Sequence, residues 1–153
     1  LWSGKHEEAP MQRPPQLKDV MTPFPYSVDA EAPIDQAVQF MREHKIRHLP
    51  VTEKGALKSL VTDRDIKLVL GPDFAYPDGR EVKVRDAMVE DCYSVDLATP
   101  LAAVVRHMGE HRLGSALVTR RGKLAGVFTS TDACRAFATF LEDVRESTGE
   151  DAA

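Results

Sequence analysis

At 153 residues, 42% hydrophobic and 29% charged, the chain has the length and apolar content of one globular domain and falls outside the disordered and membrane classes. Its formal net charge of −4 argues against a protein that grips nucleic acid through phosphates, and no apolar run approaches a membrane span. Cys92 and Cys134 form no paired motif of the zinc or redox kind, and the polar stretch Leu1 to Pro15 lacks a secretory apolar core, so a cytoplasmic location is expected.

The dominant feature is internal repetition. Residues 17–66 align with 84–133 without a gap at a constant offset of 67, with 17 of 50 positions identical. Unrelated sequence would give about three, so duplication is the economical explanation. The expected organisation is a polar tail 1–16, repeat one at 17–70, a Pro- and Gly-bearing linker loop 71–83, repeat two at 84–145 and a tail 146–153.

In chain order, Tyr26 to Val28 reads as a short extended piece, and Pro33 suits the first position of a helix. Ile34, Ala37, Val38 and Met41 then recur at helical spacing up to His44. Ile46 to Thr52 and Leu57 to Thr62 read as strands joined by a four-residue connection containing Gly55, and Asp63 to Leu70 as a closing helix. Repeat two follows as Tyr93 to Val95, Pro100 to His111, Ser115 to Thr119, Leu124 to Thr129 and a longer helix from about Ser130 to Val144. The fold expected is therefore α/β (α+β), with two β-α-β-β-α repeats packed sheet to sheet about a pseudo-twofold axis and one cleft per repeat. Ala133, Phe137, Phe140, Leu141 and Val144 form an apolar stripe on the last helix, suited to core or to contact in a homodimer.

Each repeat ends a strand in Thr and starts a helix with an acid three residues on: Thr62 with Asp65, and Thr129 with Asp132. That pattern is a capping box. The same geometry offers free amides and a positive dipole end to a phosphate, and a carboxylate to a ribose diol. His107-Met108-Gly109-Glu110-His111 fits an inverted zinc-protease pattern, but position 107 is Phe40 in repeat one and no third ligand is evident, so no metal site is expected. No Gly-rich phosphate loop or activated nucleophile is visible, so the chain is not read as an enzyme.

The duplicated strand, helix, hairpin and helix, with Asp19-Val20-Met21-Thr22, Asp86-Ala87-Met88, Arg47-His48-Leu49-Pro50-Val51 and Thr62-Asp63-Arg64-Asp65, resembles the tandem CBS (cystathionine β-synthase) domain family over about Leu17 to Val144. The resemblance implies a regulatory module that binds AMP, ADP, ATP or a related adenosine ligand between its repeats, without an obligatory cofactor. It places ribose on Asp65 and Asp132, and phosphate by Thr62, Arg64, Thr129, Ser130 and Thr131. It places the base among Ser27, Val28, His48, Leu49 and Pro50 in one copy, and Ser94, Val95, Ser115, Ala116 and Leu117 in the other. Ser59 stands where the family often has glycine, Leu117 replaces the proline of repeat one, and Asp63 beside a phosphate needs a compensating cation. Of the two clefts, that of Asp132 is favoured for a charged nucleotide. Read as a stand-alone module, the chain would signal in trans to an unidentified protein partner. The alternative is a scaffolding dimerisation module whose clefts stay empty.

Overall fold

The computed structural model describes residues 13–23, 25–73, 78–89 and 91–149, so most of the expected N-terminal tail, half of the expected C-terminal tail and part of the linker loop lie outside the described residues. Repeat one comprises α1 (Leu17–Val20), β1 (Thr22–Pro23), β2 (Val28–Asp29), α2 (Ile34–His44), β3 (His48–Glu53), β4 (Ala56–Thr62) and α3 (Asp63–Leu70). Repeat two comprises a 3-10 turn (Val84–Asp86), β5 (Ser94–Asp96), α4 (Leu101–His111), β6 (Ser115–Arg120), β7 (Lys123–Thr129) and α5 (Ser130–Thr148).

Local chemistry accounts for these boundaries. The recurring Tyr-Ser-Val-Asp run ends in a side-chain turn, because the Asp29 and Asp96 carboxylates accept from the amides of Glu31 and Ala98 at 2.8 Å. Pro33 stands at the N-cap of α2 and not at the first helical position expected, since its ψ of 140° is still extended. Both hairpin loops have two residues, not four. Lys54-Gly55 (φ 51° and 80°) and Arg121-Gly122 (φ 52° and 75°) are left-handed throughout, the type I′ geometry that matches strand twist and lets Glu53 pair with Ala56 and Arg120 with Lys123. The last helix runs past Val144 to Thr148, where Gly149 ends it in a left-handed conformation.

Two sheets result, ordered β2-β3-β4 and β1-β7-β6-β5. In each, the short first strand lies parallel to the first hairpin strand and the intervening helix covers one face. One helix-side core contains Val28, Ile34, Met41, Leu49, Val51, Val61 and Ile66; the other contains Val95, Val104, Met108, Ala116, Val118 and Phe128. A smaller cluster of Leu60, Leu117 and Val127 joins the sheets face to face.

Neither core is self-sufficient, because the repeats exchange their leading arms. Leu17 of repeat one is wholly buried in the core of repeat two, and its counterpart Val84 in the core of repeat one. Each arm then crosses a sheet of the other repeat: Thr22 pairs with Val127, and the amide of Val89 donates to the Leu60 carbonyl at 2.8 Å. At this crossing the departure at Ser59 is explained. Its hydroxyl donates to the Val89 carbonyl, whereas at the matching Gly126 a Cβ would lie 2.6 Å from Met21 Sδ and 2.8 Å from the Thr22 carbonyl oxygen. The arm of repeat two is also clamped by charge. Glu31 accepts from Lys83 at 2.5 Å and from Arg85 at 2.7 Å, and Arg85 reaches on to Glu53. These cations hold both glutamates below the usual carboxylate range: Lys83 first and then Arg85 for Glu31, and Arg85 for Glu53.

Candidate functional site

The two Thr-x-x-Asp turns are built alike. In α3, the Thr62 amide and hydroxyl donate to Asp65 Oδ2 at 3.1 and 2.6 Å, and the Asp65 amide donates back to Thr62 Oγ1 at 3.2 Å. In α5, Thr129 and Asp132 repeat the arrangement at 2.9, 2.9 and 3.2 Å. These are complete capping boxes, so Thr62 and Thr129 spend their hydroxyls on the helix. Yet every bond reaches Oδ2. Oδ1 of each aspartate makes no hydrogen bond among the described residues and stays able to accept from a diol.

The amides of these helix starts are less available than sequence suggests. Asp63 N–H donates to the Arg47 carbonyl at 3.0 Å and Ser130 N–H to the Gly114 carbonyl at 2.9 Å, while Asp65 N–H and Asp132 N–H serve the threonines. Two of the first three amides in each helix are thus engaged, and an anion here needs side-chain partners as well. Arg64, Ser130 and Thr131 are exposed beside them. The Asp63 carboxylate is met by Lys67 at 3.0 Å, which relieves the repulsion it would exert on a phosphate.

Strand alternation divides the residues nominated for the base. Leu49 and Ala116 point into the helix-side cores, as do Val28 and Val95 of β2 and β5, so their side chains are closed to a ligand and only their main chain could contact one. On the opposite face stand His48 and Pro50 in β3, and Ser115 and Leu117 in β6, all at least half-buried. Ser27 and Ser94 are exposed at the strand starts. Of the nominated set, the structure therefore brings His48 beside the Thr62–Asp65 turn, where it pairs in register with Thr62, and Ser115 beside the Thr129–Asp132 turn, where it pairs with Thr129.

Several contributors carried weaker signals. Asp132 borders a groove of about 630 Å³ between α5 and the N-terminal segment, where Arg13 and Arg135 stand among Asp19, Asp132 and Asp143. Gly114 lets the imidazole of His48 lie against its backbone: a Cβ there would meet His48 Nε2 at 3.2 Å. Its one signal in the sequence is that the repeat alignment sets glycine opposite Arg47. A groove of about 1400 Å³ runs along α4 and α5 with Val105, Phe137 and Phe140 in its wall. His107 is stacked between Tyr93 (ring centroids 4.2 Å) and His111 (4.0 Å), and no group of three His, Cys, Asp or Glu is arranged to hold a metal among the described residues. No helix there is long and apolar enough to cross a membrane.

A crossed pair of duplicated α+β units with a Thr-Asp turn at each closing helix defines a tandem-repeat module. The family profile of the CBS domain matches residues 17–71 and 84–139, and the chain belongs to that family. Among its relatives, the CBS domain-containing protein YhcV of Bacillus subtilis is 28% identical over 119 residues, 76% of this chain and 81% of that one. The structure of CBSX2 in complex with AMP is similar at 26% identity and a TM-score of 0.68, over 82% of this chain and 97% of that chain. Hypoxic Response Protein I, solved with two coordinated zinc ions, is similar at 26% identity and a TM-score of 0.66, over 79% and 98%.

Proposed function

We propose that this chain is a regulatory module that takes an adenosine nucleotide of the AMP, ADP or ATP type at the junction of its repeats. The observation that carries this is the pair of capping boxes that hold Asp65 and Asp132 rigid while leaving one carboxylate oxygen on each unspent. A diol needs such an acceptor, fixed in advance. The likeness to a CBS pair that holds AMP supports the ligand class. The groove at Asp132 offers Arg13 and Arg135 as partners for a phosphate, beside the carboxylates of Asp19 and Asp143 on the same wall.

The stripe on α5 supports a homodimer. Phe137, Phe140 and Leu141 are 61%, 49% and 51% exposed along one helix. A second copy laid on that stripe would bury it, and ligand-dependent change at the junction would then be read by a protein partner.

Thermal melting against AMP, ADP, ATP and adenosine tests the reading, with the ligand-induced shift, not the absolute midpoint, compared among wild type, Asp65→Ala and Asp132→Ala. At a hundredfold excess over Kd, binding adds about 2.7 kcal/mol, or roughly 5–11 °C for a chain of this size. Asp132→Ala is expected to abolish the AMP-induced shift. Because the capping boxes are complete without any ligand, an unmoved midpoint for every compound would favour a scaffold with empty clefts.

A further inference from the structure

His48 stands at the start of β3, half-buried, and neither ring nitrogen has a hydrogen-bond partner among the described residues. Its imidazole lies against Gly114, the residue that leads into β6 of the other repeat, where a Cβ would press on Nε2 at 3.2 Å. The chain around it ties both helix starts to this point, since Asp63 N–H donates to the carbonyl of Arg47 and Ser130 N–H to that of Gly114. The charges that act on it come from both repeats: Asp63 and Asp65 of α3, Asp132 of α5, and Arg47 beside it in the chain. A titratable ring without a partner, set between the two helix starts that would hold ribose and phosphate, has the position of a ligand contact and no evident structural bond to make.

Its charge is set chiefly by burial. Burial pushes the imidazole below its ordinary value, Asp63, Asp65 and Asp132 draw it back up, and Arg47 opposes them. The ring is therefore chiefly neutral at pH 7 in the free protein. A phosphoryl group arriving here adds about two negative charges to a neighbourhood that already carries three carboxylates, and His48 is a nearby group able to answer by gaining charge. An uncharged nucleoside makes no such demand.

We propose that His48 is the residue by which the site distinguishes phosphorylated from unphosphorylated adenosine ligands, binding a proton from solvent as the phosphate docks and remaining neutral when adenosine docks. This rests on the adenosine-ligand reading given above and adds to it the means of charge discrimination. The sign follows from linkage: an anion raises the imidazole's affinity for a proton, so AMP binding takes up protons and strengthens as pH falls.

Isothermal titration calorimetry of the full chain with AMP and with adenosine, in buffers of different ionisation enthalpy at one pH, measures the proton count directly. AMP is expected to bind with net proton uptake and adenosine with none. His48→Gln should remove the uptake and, relative to it, wild type should gain AMP affinity as pH falls from about 8, approaching tenfold for each unit of imidazole shift once pH is below the free ring's lowered value. The variant's own pH profile corrects for titration of the AMP phosphate. Should the variant not fold, the His48 Cε1–H resonance of the wild type, titrated with and without AMP, reports the same shift. Binding of AMP with no uptake and an unmoved resonance would overturn the role of His48 and leave nucleotide binding standing. Failure of both ligands to bind at any pH would overturn the two together.

Discussion

Replacing Gly126 by alanine probes the exchanged arms on which both cores depend. The new Cβ would stand 2.8 Å from the Thr22 carbonyl oxygen and 2.6 Å from Met21 Sδ, and tight but tolerated contacts begin near 3.0 Å with ordinary ones at 3.4 Å. The thioether can rotate away. The carbonyl belongs to β1, whose pairing with β7 must then open by about 0.6 Å for ordinary contact, the difference between the two distances. Overpacking against main chain costs about 1–3 kcal/mol, which for a chain of this length lowers the melting midpoint by roughly 2–12 °C. Gly109 is the matched control. It lies exposed in α4 with nothing within 4 Å of the place a Cβ would take, so Gly109→Ala should raise the midpoint through helix propensity worth about 1 kcal/mol. Calorimetric melting of both variants beside the wild type decides the matter. A Gly126→Ala midpoint equal to that of the wild type would refute the close crossing of arm and sheet.

Two further expectations concern caps and charge. Thr129→Val removes the acceptor of the Asp132 amide and the donor to its carboxylate, and should lower stability by about 1 kcal/mol in urea titration; an unchanged midpoint with unchanged slope would show that the capping box contributes nothing. Glu31 and Glu53 titrate below their usual 4.5 in the folded chain, so the unfolded chain binds more protons in acid. Their contribution is therefore present above about pH 4.5 and is lost as pH falls through the lowered folded values. Asp78, drawn down to about 2 by the Arg80 guanidinium, behaves likewise between its ordinary 3.8 and that value. Arg85→Met should melt below the wild type near neutrality and converge on it in acid, at low salt because all these groups are exposed. A gap that stayed constant with pH would contradict the assignment.

The repeat made most of the architecture legible before any coordinates. A period of 67 residues identified the unit, hydrophobic spacing located α2 and α4, and Thr-x-x-Asp marked where α3 and α5 begin, because these are local patterns that each stretch of chain must satisfy by itself. Loop length was misjudged for a local reason too: Lys54 and Arg121 adopt left-handed backbone that their residue type does not advertise, and only strand pairing across the hairpin selects it.

What the tertiary structure alone decided is how the two copies use each other. That Leu17 serves the core of repeat two and Val84 the core of repeat one is a property of chain crossing, and no spacing within 153 residues encodes it. Alternation along β3 and β6 then sorted the nominated base contacts, sending Leu49 and Ala116 inward and His48 and Ser115 to the opposite face, once the sheet had a buried side. The composition and repeat determined the family of solutions. The packing of one repeat's arm and one repeat's glycine against the other determined which side chains remain free to meet a ligand, because burial is settled only when both copies are in place.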